Sequence, residues 1–152
     1  MQQLTKYRPK GKLATIKKVR VGQCIIGNDG SITKTKKDRC FLLTDEWGQI
    51  RLISTRDLKA YLLMCGSEID RYRDLPLNNS VKVKANEDYF VLVYFASSRE
   101  TINVRVYNGI TKTVVAEEGD AIVYNVGNDG RPDKNSLKCI KRAEFLTHYE
   151  MV

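Results

Sequence analysis

The chain has a single histidine, a single tryptophan and only three prolines in 152 residues. One histidine leaves one side chain that titrates near neutral pH, so acid–base chemistry would have to be built around His148. No Gly-Lys-Ser/Thr phosphate loop and no Gly-x-Gly-x-x-Gly turn is present, which removes the commonest nucleotide-binding loops. The longest apolar run, Tyr89 to Ala96, falls far short of the ~20 residues that cross a bilayer as a helix. Residues 1–6 carry no apolar segment behind their charges, so no secretory signal is visible and no membrane partner is expected. The four cysteines, Cys24, Cys40, Cys65 and Cys139, form no Cys-x-x-Cys pair, so a zinc site of the usual spacing is not expected. Each lies beside apolar residues and reads as a reduced thiol packed as a small hydrophobe. A chain of this length buries a core without disulfide staples, and a cytoplasmic location is the expectation.

What is present is a globular composition, 42% hydrophobic and 29% charged, enough for one ordinary domain or two very small ones. The net charge of +8 is unevenly placed. Residues 1–40 hold 11 basic side chains (Lys6, Arg8, Lys10, Lys12, Lys17, Lys18, Arg20, Lys34, Lys36, Lys37 and Arg39) against 2 acidic ones. Residues 41–152 hold 15 basic and 16 acidic side chains, so the first quarter of the chain supplies all the excess. Such asymmetry is the electrostatic footprint of a surface that meets phosphate, the alternative being a solvated face that only keeps the protein soluble. The basic groups at 6–20 and 34–39 flank a predicted hairpin, which would let them meet in space.

Short strands with turn punctuation dominate the pattern. Leu13 to Val21 reads as a strand, as do Gln23 to Ile26 and Ser31 to Thr35 around the Asn28-Asp29-Gly30 turn. Cys40 to Thr44 and Gln49 to Ile53 make a second hairpin around Trp47-Gly48. Leu58, Tyr61, Leu62 and Cys65 then repeat at helical spacing, predicting a helix from Ser54 or Thr55 that stops at Gly66. Residues 67–80 are polar and read as a linker, dividing a basic unit at 1–66 from a β-rich unit at 81–152. In the latter, Val81, Val83 and Ala85 alternate with lysines, and Tyr89 to Ala96 predicts a central strand buried on both faces. A hairpin over Thr101 to Val115 turns at Asn108-Gly109. Ala121 to Val126 and Leu137 to Ile140 are further strands, and a helix over Arg142 to Glu150 points Phe145, Leu146 and Tyr149 inward. The fold class expected is α+β: a mostly antiparallel twisted sheet, or two small barrel-like units each closed by a short helix.

Two stretches echo each other. Gly22-Gln23-Cys24-Ile25-Ile26 leads to Gly27-Asn28-Asp29-Gly30, and Gly119-Asp120-Ala121-Ile122-Val123 leads to Gly127-Asn128-Asp129-Gly130. Each is followed by a strand ending in Ile53 or Ile140 and by a helix signal at Asp57-Leu58 or Glu144-Phe145, as an internal duplication would give. Asn-Asp-Gly is also ordinary turn chemistry, and chance is the alternative. The stretch from Gly119 to Val123, with the ending Phe145-Leu146-Thr147-His148-Tyr149-Glu150, resembles the small PGDYG-type domain of phage proteins. Glu118 stands where that pattern has Pro, and Ala121 where it has an aromatic residue. The resemblance covers about the last 35 residues, implies a phage-encoded protein in host cytoplasm, and transfers no site residues. The first unit is similar in pattern to an SH3-like small barrel, an analogy of shape alone.

No catalytic constellation stands out. Cys139 and His148 could form a nucleophile–base pair only with a third orienting group that the sequence does not supply. The expected function is therefore non-catalytic and without a cofactor. It is the binding of nucleic acid or a nucleotide through the eleven basic residues above, with Tyr7 and Trp47 as rings on which bases stack. The second expectation, from a different class, is a phage-type inhibitor that binds a host or defence protein.

Overall fold

The computed structural model describes residues 3–27, 30–105 and 111–152. Contacts divide the chain into two compact units: Gly11–Asp88, and a second made of Met1–Lys10 with Tyr89–Val152. The chain crosses between them at 10/11 and again at 88/89, and the expected linker at 67–80 lies inside the first unit. There Leu75 is buried, and Tyr72 donates its hydroxyl hydrogen to the Tyr61 carbonyl at 2.8 Å. A polar composition alone does not make a linker when one apolar side chain anchors the stretch.

β1 (Thr5–Pro9) precedes Gly11 and belongs to the second unit. The first unit carries β2 (Leu13–Lys18), β3 (Cys24–Ile26), β4 (Ile32–Lys34), β5 (Phe41–Thr44), β6 (Ile50–Ile53), β7 (Tyr61–Leu63) and β8 (Ser80–Ala85). The second adds β9 (Val91–Phe95), β10 (Glu100–Arg105), β11 (Thr111–Ala116), β12 (Ala121–Val126), β13 (Pro132–Ile140), the helix α1 (Arg142–His148) and β14 (Tyr149–Met151). Each unit has a five-stranded antiparallel sheet, β6-β5-β2-β8-β7 in one and β13-β12-β9-β1-β14 in the other, plus a two-stranded hairpin.

The two strand orders are the same once β2 is matched with β9, β5 with β12, β6 with β13, β7 with β14 and β8 with β1. The fourth strand is exchanged: β8 leads in sequence into the unit of β9, and β1 leads into the unit of β2. Tyr7 on β1 and Val83 on β8 are the buried residues at these positions, each between exposed cations (Lys6 and Arg8, Lys82 and Lys84). The Gly-Asn-Asp-Gly echo fits this correspondence only in part. Both turns close alike, Gly27 N–H to the Ser31 carbonyl and Gly127 N–H to the Arg131 carbonyl, each at 2.7 Å. Yet the first closes β3–β4 and the second joins β12 to β13, which are not matching positions. Ile53 and Ile140, Leu58 and Phe145 do match.

The expected α+β class is corrected by the structure. The chain is mostly β, 49% strand against 11% helical, and among the described residues there is one α-helix and no sheet closes into a barrel. The helix predicted from residue 54 is a 3-10 turn, Arg56–Ala60, that gives way at once to β7. Its apolar spacing is satisfied differently: Tyr61, Leu62 and Leu63 pair with Ala85, Lys84 and Val83, leaving Leu62 and Cys65 exposed. Tyrosine also suits a strand better than a helix, and tertiary pairing overrides the weak helical period. Only the closing helix forms, and it stops at His148 because Tyr149 is already extended and paired with Pro9. The expected Asn108-Gly109 turn lies outside the described residues, while β10 and β11 pair from Glu100↔Ala116 to Arg105↔Thr111.

In the second unit β9 is central and covered on both faces, as its unbroken apolar run requires. Val91 and Val93 join Tyr7, Ala121, Val123, Phe145 and Tyr149 in one cluster. On the other face Ala96, Ala116 and Ile122 pack with Tyr94, Ile102, Tyr124, Leu137 and Cys139. In the first unit the deepest residues are Ile16, Leu43 and Val83.

Candidate functional site

The structure divides the eleven basic residues into separate groups. Lys6, Arg8 and Lys10 lie in the second unit, with Lys6 Nζ 4.6 Å from the Phe90 ring centroid and Arg8 Nε 3.3 Å from Glu150 Oε1. Lys17 is exposed on β2, where the register puts Thr15 opposite Lys82 and Leu13 opposite Lys84. Lys82 and Lys84 therefore share the outward face with Lys17. Their alternation with buried Val83 signals this in the sequence, yet distance along the chain hid the grouping. Lys12 is exposed beside the Glu46 turn, and half-buried Lys18 directs its ammonium to the Arg73 carbonyl at 3.4 Å.

The remaining five cations are brought to one corner. Gly22 N–H donates to the Thr35 carbonyl at 3.0 Å, and Thr35 N–H donates to the Gln23 carbonyl at 2.8 Å. Thr35 is buried, and its hydroxyl donates to the Arg20 carbonyl at 2.5 Å while accepting from Gln23 N–H at 2.9 Å. One side chain thus ties the end of the first basic run to the start of the second. Beyond it Lys36-Lys37-Asp38-Arg39 makes a tight turn closed by reciprocal backbone bonds of 3.1 and 2.9 Å between Lys36 and Arg39. Arg20, Lys34, Lys36, Lys37 and Arg39 are all exposed, and among the described residues none is in an ion pair. Thr35→Val should cost on the order of 1–2 kcal/mol, because both hydroxyl bonds go and Gln23 N–H and the Arg20 carbonyl keep only their 3.4 Å bond to each other. Denaturant unfolding of the two proteins measures it.

The two expected stacking rings separate cleanly. Tyr7 is 7% exposed, edge-on to Phe145 at 5.2 Å and to Phe95 at 6.0 Å between centroids. It is a core residue because β1 is an interior strand that buries Tyr7 and Pro9, so it offers no ring to a base. Trp47 is 64% exposed at the β5–β6 turn. Asp45 Oδ1 accepts from Trp47 N–H and Gln49 N–H, both at 2.9 Å, which fixes that turn. Next to it Glu46 accepts from the backbone N–H groups of Lys12 and Leu13, and these bonds hold its carboxyl below the usual range. Gly11 has φ +92°, and a Cβ there would stand 3.3 Å from Glu46 Oε1 and 3.4 Å from the Trp47 ring. Gly11→Ala should therefore destabilise by about 1–2 kcal/mol, read as a lower melting temperature, since it adds crowding to a left-handed backbone.

Cys139 is engaged elsewhere than with a base. Its Sγ is 3.7 Å from Asp120 Oδ2, and burial first, then that carboxylate, push the thiol pKa up. A raised thiol is the opposite of what a nucleophile requires. His148 ends α1, and its carbonyl accepts from Lys10 N–H at 2.8 Å. Among the described residues no helix is long and apolar enough to cross a membrane. Compared with family models, curated proteins and solved structures, the chain matches none.

Proposed function

We propose that the protein is a non-catalytic binder of phosphate-rich ligands, nucleic acid above all, with a nucleotide as the smaller form of the same chemistry. The observation that carries this reading is the corner of Arg20, Lys34, Lys36, Lys37 and Arg39. Five exposed cations held by one buried threonine form a field that phosphates, rather than the protein's own carboxylates, are placed to neutralise. Lys17, Lys82 and Lys84 lie together on the same unit, whose 15 basic side chains outnumber its 10 acidic ones. Trp47 supplies an exposed ring for a base, worth ~1–3 kcal/mol per stack.

The test is a salt titration of binding to DNA, RNA and heparin. Log affinity should fall linearly with log salt, with a slope of about −0.9 per phosphate neutralised on duplex DNA. Changing Lys34, Lys36 and Lys37 together to Glu should flatten that slope by about three such contacts while leaving the melting temperature nearly unmoved. A flat slope in the parent protein, or no polyanion binding at low salt, removes the reading.

A second reading, a phage-type inhibitor of a host protein, draws on the outward row Leu62, Lys84 and Leu13. These are cross-strand neighbours, and both leucines are exposed. Loss of that activity in Leu13→Ser/Leu62→Ser, with polyanion binding intact, would favour it.

A further inference from the structure

We infer that the outward face of the first unit's five-stranded sheet docks an acidic, extended segment of a partner protein. This names the partner chemistry of the protein-binding reading and rests on it. The register fixes which residues share that face. Lys82 and Lys84 on β8 lie opposite Thr15 and Leu13 on β2, and Leu62 on β7 lies opposite Lys84. Toward the other edge, Leu42 stands between Lys17 and Leu52. Leu13 and Leu62 are 54% and 44% exposed. The three lysines are exposed too, and among the described residues none of them is in an ion pair. No Asp or Glu occupies an outward position on any of the five strands.

The second unit shows what such a face requires. By the matched strand orders, its equivalent surface is covered by the β10–β11 ribbon, whose Ile102 and Ala116 pack with Ile122, Tyr94 and Cys139. Ile122 is fully buried there, whereas Leu42, its counterpart on β5, is only half-buried. The ribbon in the corresponding place of the first unit, β3–β4, leaves the surface open: of its six strand residues only Ile25 is even half-buried. The cations repeat as well. Lys82 and Lys84 flank buried Val83 as Lys6 and Arg8 flank buried Tyr7. Arg8 lies opposite Glu150 and is paired with it, Nε to Oε1 at 3.3 Å. Lys84 has Leu62 at that place. The first unit thus lacks both the apolar cover and the carboxylate that the second supplies from its own chain.

A partner that provides both carries acidic and apolar side chains together. An extended chain presents every second side chain to one side, about 6.7 Å apart, which is the spacing at which β8 sets Lys82 and Lys84. Contiguous exposed apolar groups mark protein contacts. Nucleic acid suits the face less well, because Leu13, Leu42 and Leu62 offer no ring on which a base stacks.

The experiment titrates the full, isotope-labelled chain and follows its backbone amide shifts. The probes are a short peptide alternating valine with glutamate, its counterpart with lysine for glutamate, and a short single-stranded DNA. The glutamate peptide should bind and shift amides of β2, β7 and β8, and the lysine peptide should not. Lys82→Glu/Lys84→Glu should weaken the glutamate peptide about tenfold or more, with the melting temperature nearly unmoved. Leu62→Glu, which sets a carboxylate opposite Lys84 as Glu150 stands opposite Arg8, should weaken it likewise. Lys34→Glu/Lys36→Glu/Lys37→Glu should retain binding on the same strands. No binding of either peptide, equal binding of both, or binding lost in the corner variant but kept in the β8 variant overturns the acidic partner. So does single-stranded DNA that shifts these amides where the glutamate peptide does not, which gives the face to nucleic acid. If inhibition of a host protein still falls in Leu13→Ser/Leu62→Ser after such a result, the protein-binding reading stands without the acidic occupant.

Discussion

Replacing Phe145 by alanine is expected to destabilise the protein by about 3–5 kcal/mol, the usual cost of deleting a buried phenyl ring. Phe145 is 1% exposed and is the hub of the second unit's aromatic cluster. It stacks on Tyr149 at 4.6 Å and meets Tyr7 and Phe95 edge-on at 5.2 and 6.0 Å. Those rings sit on α1, β14, β1 and β9, so one deletion loosens four elements. The location of the loss matters as much as its size. Hydrogen exchange should quicken at β1, β9 and β14, since β1 bonds on one side to β9 and on the other to β14. Phe145→Leu, which keeps most of the volume, should recover more than half of the loss. If alanine cost under 1 kcal/mol, or if exchange quickened only in residues 142–148, the ring would not be the keystone described here.

That keystone was half-legible in the sequence. Phe145, Leu146 and Tyr149 were expected to face inward, and they do: Phe145 and Tyr149 are buried and Leu146 packs beside them. Their partner, β1, carries no signal of its own in the sequence. Thr5 to Pro9 shows two cations and a proline around one tyrosine, the pattern of an exposed terminus. Its burial depends on a slot between β9 and β14 that only long-range pairing creates. The same physics explains Tyr7, offered as a stacking ring and found in the core, and Trp47, which stays outside on a turn fixed by Asp45. Local turn chemistry was readable wherever Gly and Asx residues set it. The 45–48 and 127–130 turns both close as their residues dictate, while Asn28 and Asp29 of the 27–30 turn lie outside the described residues.

The basic corner was legible as charge but not as geometry. Clustering in the first 40 residues suggests that the groups at 6–20 and 34–39 can meet, and of the first group the structure joins only Arg20 to the second, through Thr35. Nothing in a charge count separates these five from Lys6, Arg8 and Lys10, which the chain carries off into the other unit with β1. Nor does it add Lys82 and Lys84, which arrive beside Lys17 only because β8 pairs with β2. Helical spacing misled at Leu58 to Cys65 because period 3.6 and a short turn followed by a strand look alike over so few residues. Tertiary partners for Tyr61 and Leu63 on β8 decided the matter.

Asp120 is where a buried charge is expected to show its worth, and its pH dependence follows from its bonds. The residue is 5% exposed, and its Oδ2 accepts from Glu117 N–H at 3.0 Å and from Lys141 Nζ at 3.3 Å. The Glu117 bond above all, aided by Lys141 and Cys139 and opposed by burial, holds the carboxyl below its ordinary value of 3.8. A carboxyl whose folded pKa lies below the unfolded one binds fewer protons when folded. Its contribution is therefore full above the unfolded value and is lost as pH falls through the folded one. Asp120→Ala should cost about 1.5–3 kcal/mol at neutral pH, the range for a charge-assisted bond removed from a buried site. That difference should hold steady down to about pH 4 and then shrink as the parent's carboxylate is protonated. Asp120→Asn keeps an acceptor for Glu117 N–H and should lose less, with its own stability insensitive to acid at this site. Denaturant unfolding of the three proteins from pH 7 to pH 2 separates these cases. A gap between parent and alanine variant that stays constant into acid would mean that the carboxylate's charge is not what anchors the loop from Glu117 to β12.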